Sequence, residues 1–509
     1  MKRKKKTRKK PAQKTGRKTA KSARKKPAKA AGKKLKAAAP RKRRGPVLPT
    51  TYFSPKAFAN KRACVLGMGR SGLAAARLLH KKGCKVLVSD TRPHKELRPA
   101  AAKLPAGVQW EGKGHSDRIL KCHFAVKSPG IPSHAPVLAK LKEAGIPVFS
   151  ELEVALSFCP LKNIVAVTGT NGKTTVVHLL AAVCRAARRG VHVCGNMGVP
   201  LSSAAGKVKK SDTLILEVSS YQLEDSRWLR PAVAVILNIT RDHIDHHGGM
   251  PQYIDAKARI FADQDRSQHC VFNADDGIVY NLARRSRARN LFFGAAASTR
   301  TAAWIEKGKI RCRMPGEKKA QTITFPPLPG EHNRYNALAV ALAARARGIA
   351  PAAIQRGFKS FKGVEHRIED CGRSGILRAI NDSKSTNVDS TLAALRSLSE
   401  KEAGKVLLIL GGLHKGGSYG PLRQLVERYA KAVLTIGSAA AKIEEDLQGA
   451  SPVFPCVNLQ TAVEVAYKIG HKGDILLLSP ASASFDQFAD FEERGRCFKD
   501  LVRKHGGRA

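Results

Sequence analysis

Eleven residues constrain this chain more than any others: V-A-V-T-G-T-N-G-K-T-T at Val165–Thr175. An apolar run from Ile164 to Val167 reads as a buried strand, and Gly169-Thr170-Asn171-Gly172 turns the chain. Lys173-Thr174-Thr175 then opens the helical stretch V-V-H-L-L-A-A-V. Strand, glycine loop and helix N-terminus together make an anion site. Glycines let backbone N–H groups approach phosphate oxygens, and the helix end adds a partial positive charge. In such a loop Lys173 reaches the β/γ-phosphates and the Thr174 hydroxyl sits on Mg²⁺. The general pattern G-x4-G-K-[ST] asks for glycine at position 167, where Val167 stands, so this is a variant loop. A Gly-rich turn before an ordinary helix is the alternative reading, and it leaves G-K-T-T directly after a buried strand unexplained.

A length of 509 residues suggests about three domains at ~150 residues each. The net charge of +53 is unevenly placed: residues 1–45 hold 23 Lys/Arg and no Asp or Glu, leaving 69 basic against 39 acidic residues on the rest. Tail and body are both basic, which favours anionic partners. The tail has nothing to build a core from and reads as disordered. It is either a loose polyanion-binding arm or a solubilising appendage, since charge alone carries no sequence information. The eleven cysteines are scattered with no C-x-x-C pair, the pattern of reduced cytosolic thiols. No apolar run approaches the ~20 residues of a membrane span, and no apolar h-region follows the basic start. A cytoplasmic protein, with no membrane partner, is expected.

Order is expected from about Asn60. Arg62–Leu66 reads as a strand, followed by G-M-G-R-S-G (Gly67, Gly69, Gly72), a helix, and a second strand Lys85–Ser89 ending at Asp90, 23 residues after Gly67. That is the dinucleotide fingerprint with its acidic residue, and the same geometry holds any diphosphate. This Rossmann-like domain is expected over residues 60–151. A central P-loop ATPase-type α/β domain is expected over 152–363. There a strand over Thr213–Val218 delivers Glu217, a carboxylate that is costly to bury unless it meets a cation: Mg²⁺ on one reading, one of the many arginines on the other. A strand over Ala232–Leu237 leads into N-I-T-R-D-H-I-D-H-H, whose His/Asp crowd suits metal or phosphate chemistry but equally a polar surface loop. Asn333 and Asn336 lie one turn apart at the start of an Ala-rich helix. Residues 364–509 read as a third, Rossmann-like α/β domain. Its polar loops, Asn381–Asn387, Gly411–Gly417 and Pro480–Phe488, all follow strand C-termini, where open sheets bind ligands.

At these residues the chain resembles the Mur ligases, from about residue 60 to 501. G-T-N-G-K-T-T, E-V-S-S-Y-Q-L-E, N-I-T-R-D-H and E-H-N-R-Y-N-A are shared with folylpolyglutamate synthases. N-D-S-K-S-T-N and S-P-A-S-A-S-F-D-Q-F-x2-F-E-x-R-G resemble the branch of the family that adds D-glutamate to the cytoplasmic peptidoglycan precursor. The D-N-P-R of the diamino-acid branch is not found, and Ser482 stands where the family usually has Cys.

The resemblance implies an ATP-dependent, ADP-forming ligase, expected as a monomer. ATP would phosphorylate the terminal carboxylate of UDP-N-acetylmuramoyl-L-alanine, and D-glutamate would attack the acyl phosphate. On the residue-by-residue match, Gly69, Ser71, Asp90, Thr91 and Arg92 would hold the UDP end. Gly169, Thr170, Asn171, Gly172, Lys173, Thr174, Thr175, Asn333 and Asn336 would hold ATP. Thr174, Glu217, His243 and Lys257 would ligate two Mg²⁺ ions. Lys173, Lys257, His243, Asn196 and Arg367 would serve catalysis, and Lys384, Thr386, Lys415, Ser484 and Phe491 would receive D-glutamate. On composition alone Lys257 is a surface lysine. The resemblance instead implies a lysine carbamylated by CO₂, because an ammonium repels Mg²⁺ whereas a carbamate supplies oxygens and negative charge.

Other readings explain less. A folylpolyglutamate-type or other Mur-type ligase would share the phosphate loop, but the former would lack N-D-S-K-S-T-N. An NAD-dependent dehydrogenase would leave Lys173 idle. A DNA-compacting protein would account for residues 1–45 alone.

Overall fold

A computed structural model describes residues 58–159, 163–196, 198–242, 244–414 and 416–506. The basic tail lies outside the described residues, as do His243 and Lys415. The twenty described strands are β1 (Arg62–Leu66), β2 (Lys85–Ser89), β3 (Gln109–Glu111), β4 (Phe124–Lys127), β5 (Val148–Ser150), β6 (Ile164–Thr168), β7 (Val191–Gly195), β8 (Thr213–Glu217), β9 (Val233–Ile236), β10 (His269–Asn273), β11 (Arg289–Phe293), β12 (Thr301–Glu306), β13 (Lys309–Cys312), β14 (Gln321–Ile323), β15 (Glu369–Ser374), β16 (Leu377–Asn381), β17 (Val406–Gly411), β18 (Ala430–Ile436), β19 (Val453–Val457) and β20 (Ile475–Leu478).

They form three sheets, of order β3-β2-β1-β4-β5, then β14-β13-β12-β11-β10-β9-β6-β8-β7, then β15-β16-β20-β17-β18-β19. The first is wholly parallel. The other two are parallel apart from an antiparallel margin, β12-β13-β14 in one and β15-β16 in the other. The α/β class with Rossmann-like first and last sheets, expected from the motifs, is the observed architecture.

Helices cover both faces of these sheets, so the central strands are apolar throughout. In β6, Val165 and Val167 pack into one core with the helices Lys173–Ala186 and Glu331–Ala346. Ile164 and Ala166 face the opposite core. In β17, Val406, Leu408 and Leu410 face one side while Leu407 and Ile409 face the other. This alternation follows from the two-residue period of a strand. Ladders end a residue short of the apolar runs that announce them: Ala232 and Leu237 flank β9 without joining it.

Each sheet sends its loops from strand C-termini toward the others. After β1 the chain reverses so tightly that a Cβ at Gly72 would lie 1.9 Å from the Gly67 carbonyl oxygen, and only glycine fits there. Three contacts tie the sheets together around these loops. Lys127 at the end of β4, 3% exposed, pairs with Asp225 at 2.7 Å. Lys384 reaches the Thr174 hydroxyl at 2.7 Å across 210 residues of sequence. Arg70 of the first glycine loop approaches Glu492 at 3.9 Å.

Candidate active site

Val167 occupies β6 itself, its carbonyl accepting from the Val218 N–H at 2.9 Å. A glycine there would have no loop role, and the variant pattern follows from a strand that runs two residues further. The turn is then held by its neighbours. The Asn171 N–H donates to Asn238 Oδ1 at 2.8 Å, and Thr170 Oγ1 lies 3.0 Å from the Tyr253 hydroxyl. Gly172 takes φ +87°, and a Cβ on it would stand 2.4 Å from Asn336 Oδ1. Asn336 donates to Asn333 Oδ1 at 3.1 Å, and Asn333 donates to the Pro329 carbonyl at 2.7 Å. The two asparagines one turn apart thus buttress the phosphate loop from the Ala-rich helix.

Two lysines converge on this loop. Lys173 Nζ donates to the carbonyls of Gly169 at 2.8 Å and Thr170 at 2.7 Å. Lys257 Nζ donates to the same Gly169 carbonyl at 2.9 Å and lies 4.6 Å from the centre of the Tyr253 ring. Lys257 is 2% exposed, so the surface reading that composition favours does not hold. Its helix, Met250–Ala258, turns Tyr253, Ala256 and Lys257 inward. Burial, and then the Lys173 ammonium, press the Lys257 amine well below its ordinary value. Burial also lowers Lys173, with Glu217 and Asp242 pulling the other way.

Glu217, at the end of β8, is 2% exposed. One of its oxygens meets only Asn196 Nδ2, at 3.4 Å, and the other makes no hydrogen bond among the described residues. A buried carboxylate oxygen without a hydrogen bond among the described residues, in the cleft that Thr174 also lines, is the donor chemistry of a hard cation. The residues present therefore fit Mg²⁺, and an arginine partner for Glu217 is not found among the described residues.

Lys173, Thr174, Asn196 and Glu217 line one wall of a cleft of about 770 Å³, and Arg367, Lys384, Thr386, Tyr419 and Ser482 line the other. Lys384 also lies 5.3 Å from the centre of the Phe491 ring. Burial brings its amine down to about 7, with Glu217 opposing and Arg367 and Lys173 assisting. Ser484 is buried and anchors the next turn, its carbonyl accepting from the Phe488 N–H at 2.8 Å. It is not among the residues lining this cleft, whereas Ser482 is, bonded to the Tyr419 hydroxyl at 2.7 Å.

A second cleft of about 520 Å³ opens on the other side of the loop, lined by Asn171, Gly172, Asn336 and Arg367 together with Asp275, Asp276, His332 and Tyr335. Asp275 and Asp276 lie outside the motifs, because Ala274-Asp275-Asp276-Gly277 carries only a turn signal, and His332 and Tyr335 lie within E-H-N-R-Y-N-A without an assigned role. Asp276 accepts from the Ile239 N–H at 2.9 Å and Asp275 from the Tyr335 hydroxyl at 2.7 Å. Burial, then Arg367, lowers His332 to about 4, so it is neutral near pH 7.

The first glycine loop is built differently. Asp90, at the end of β2, accepts from the Met68 N–H at 2.7 Å. It also accepts from the Arg92 N–H at 3.0 Å and from the Arg92 guanidinium at 2.9 and 3.1 Å. Burial alone would raise its carboxyl, but these bonds bring it to about 2. Gly69 has open space beside it, Ser71 lies in the first turn of the helix Arg70–Lys81, and Thr91 follows Asp90 and is exposed.

Arg494, the arginine of F-E-x-R-G to which the motif reading gave no role, is 0% exposed and gathers the third domain's loops. It donates to the Ser383 hydroxyl at 3.1 Å, the Ser383 carbonyl at 2.9 Å and the Ser482 carbonyl at 3.1 Å.

The chain matches three family models: "Mur ligase MurD-like, N-terminal domain" over residues 61–150, "Mur ligase middle domain" over 167–344 and "Mur ligase, glutamate ligase domain" over 366–482. It is 45% identical over 462 residues to the UDP-N-acetylmuramoylalanine–D-glutamate ligase of Elusimicrobium minutum, covering 89% of this chain and 99% of the relative. The ligase of the same name from Acidobacterium capsulatum is 40% identical, covering 88% and 97%. Among solved structures, the UDP-N-acetylmuramate-alanine ligase of Thermotoga maritima superposes with a TM-score of 0.59 at 19% identity, covering 87% of this chain and 100% of that one. MurF of Acinetobacter baumannii gives 0.56 at 17% identity, covering 82% and 90%. These two are likenesses of fold.

Proposed function

This chain belongs to the Mur ligase family, and on that premise we propose that it joins D-glutamate to UDP-N-acetylmuramoyl-L-alanine at the expense of ATP, in peptidoglycan precursor synthesis. The observation that carries this is one cleft with the phosphate-loop Lys173 and Thr174 on one wall and the N-D-S-K-S-T-N residues Lys384 and Thr386 on the other. The identity to D-glutamate ligases over nearly their whole length supports the choice of amino acid.

A carboxylate is a poor electrophile, so the alanine carboxyl is first converted to an acyl phosphate. Phosphate then leaves after attack by the D-glutamate amine. The protein contributes positioning and charge neutralisation, as in phosphoryl transfer generally. Lys173 faces the transferring phosphoryl group, and Asn171, Gly172, Thr175, Asn333 and Asn336 shape the nucleotide side of the loop. Arg367, bordering both clefts, stands between nucleotide and acyl phosphate. A Lys384 amine near neutrality is suited to holding a carboxylate when charged and to sparing the attacking amine a fixed competing charge. Lys415 and Phe491 complete the D-glutamate side, and Ser484, which does not line the cleft, supports it through the turn that it anchors. Gly69, Ser71, Asp90, Thr91 and Arg92 hold the UDP end.

Thr174, Glu217 and His243 would hold Mg²⁺, which when bound withdraws charge from the phosphate oxygens. Lys257 is carbamylated on this reading and serves a second Mg²⁺. Carbamate forms only from the neutral amine, and burial favours that form. The working divisions are 60–151 for the UDP-substrate, 152–363 for ATP and 364–509 for D-glutamate. The enzyme acts as a cytoplasmic monomer.

Phosphate release by purified protein with ATP and UDP-N-acetylmuramoyl-L-alanine should require D-glutamate. L-glutamate should be rejected by ~10⁴–10⁵ in kcat/KM, because a mispositioned carboxylate leaves buried donors unpaired. Comparable turnover with L-glutamate or a diamino acid would remove the assignment.

The basic tail serves as a loose polyanion arm dispensable for catalysis. A chain starting near Thr51 should keep full ligase activity and lose most nucleic-acid retention. If the tail makes ~6–10 phosphate contacts, affinity of the full chain should fall by ~10³–10⁵ between 50 and 200 mM salt. Loss of ligase activity on truncation would contradict this role.

A further inference from the structure

Three side chains beyond the proposed Mg²⁺ ligands converge where the helix Ser220–Glu224 meets the short helix Ile244–His247. His246 Nε2 lies 3.1 Å from Glu224 Oε2, and His247 Nδ1 lies 3.9 Å from the same oxygen. One donor atom from each of the three falls within 4.8 Å of the others. Two ligands on a tetrahedral Zn²⁺, each ~2.0–2.2 Å from the ion, stand ~3.4 Å apart. The donors are therefore already close to coordination spacing.

The surroundings are those of a ligand set. His247 Nε2 lies 2.9 Å from Ser220 Oγ, which leaves Nδ1 as the nitrogen turned to Glu224. Metal-bound histidines are held in this way through their second nitrogen. The Tyr221 ring packs against His246 with centroids 4.0 Å apart, fixing the imidazole plane. The His247 side chain is 1% exposed, His246 12% and Glu224 28%, so the cluster opens to solvent on the side of Glu224. Two imidazoles and a carboxylate favour Zn²⁺ over Mg²⁺, which prefers oxygen ligands.

We propose that Glu224, His246 and His247 form a Zn²⁺ site with its fourth position open to water, distinct from the Glu217 centre. The site borders the phosphate loop through one residue. The His247 ring lies 5.3 Å from that of Tyr253, whose hydroxyl meets Thr170 at 3.0 Å. Occupancy would hold the segment after His243 in place and leave the loop its own ligands.

The test is calorimetric titration of the full chain with Zn²⁺ in excess Mg²⁺, together with Co²⁺ absorption under the same conditions. One Zn²⁺ per chain is expected, with the intense visible bands of four-coordinate Co²⁺. His246→Gln and Glu224→Gln, both partly exposed, should fold and weaken Zn²⁺ binding by 10-fold or more. Ser220→Ala should weaken it by ~10–100-fold, as loss of an outer-shell partner does. Zn²⁺ should raise the unfolding midpoint of the parent and not of His246→Gln. Unchanged affinity in both Gln variants would overturn the site. So would a Co²⁺ spectrum with only weak six-coordinate bands, or one dominated by thiolate charge transfer.

Discussion

Two loops in this molecule share one design and differ in how their charge is settled. Each follows a buried parallel strand, turns on glycines and enters a helix. At the first, Asp90 is finished by its own domain: one backbone N–H and three donors from Arg92 leave the carboxylate fully partnered. At the second, Lys173 and Lys257 crowd one carbonyl, and Glu217 keeps an oxygen without a hydrogen bond among the described residues. Buried charges left in this state are costly. Such imbalance marks a place where ligands complete the structure. A loop that is neutral by itself binds; a loop that awaits charge does chemistry.

The strongest way to break that contrast is Lys173→Ala. On the proposed reading it removes the cation facing the transferred phosphoryl group, an electrostatic contribution on the order of 10²–10³ or more in rate. Turnover should vanish while the thermal unfolding midpoint stays close to that of the parent, since Lys173 satisfies only loop carbonyls. Retained ATP-dependent turnover would place the chemistry elsewhere.

Lys257→Ala should be nearly as inactive, and it asks which form of the side chain matters. If a carbamate supplies oxygens to the metal, a short carboxylate added to the variant should restore part of the rate. An unmodified lysine in a Mg²⁺-bound crystal structure would exclude the carbamate. The pH dependence has a definite sign: the folded amine titrates well below 10.5, so burial of this group costs stability below that pH and the cost falls as pH rises toward it.

Asp90→Asn should give the smallest effect and a different kind of effect. The Met68 N–H and Arg92 lose a charged acceptor, for ~1–3 kcal/mol of stability. KM for the UDP substrate should rise with kcat little changed, the signature of uniform binding. The Asp90 carboxyl is depressed to about 2 in the folded chain. Its stabilisation is thus complete above pH ~4 and lost as pH falls through 2. The variant should lack that acid limb in a stability–pH profile. A kcat loss as large as that of Lys173→Ala would erase the distinction between the two loops.

Sequence reading reached the loops because their signal is local. G-M-G-R-S-G, G-T-N-G-K-T-T and N-D-S-K-S-T-N each compress strand end, turn and helix start into seven residues or fewer. What it missed is set by packing between distant segments. Composition and spacing around Lys257 do not announce that Met250–Ala258 lays that lysine under Gly169, 88 residues away, and only the family resemblance singles it out. The four-residue wall of Asp275, Asp276, His332 and Tyr335 is assembled from two segments joined only by the fold. Arg494 stands in F-E-x-R-G, yet no local signal says that it ends fully buried among carbonyls. Spacing finds side chains that share a turn and is silent about those that share only a cleft.

The tight reversal after β1 has a consequence for inheritance. A Cβ at Gly72 would meet a backbone oxygen at 1.9 Å, with no side chain that could swing aside. Glycine codons differ only in their third base, and a missense change at either of the first two installs a residue with a Cβ. A single-base substitution at this codon is therefore either synonymous or damaging. Compensation from a second site would have to move the main chain itself, since the obstacle is a carbonyl and not a side chain.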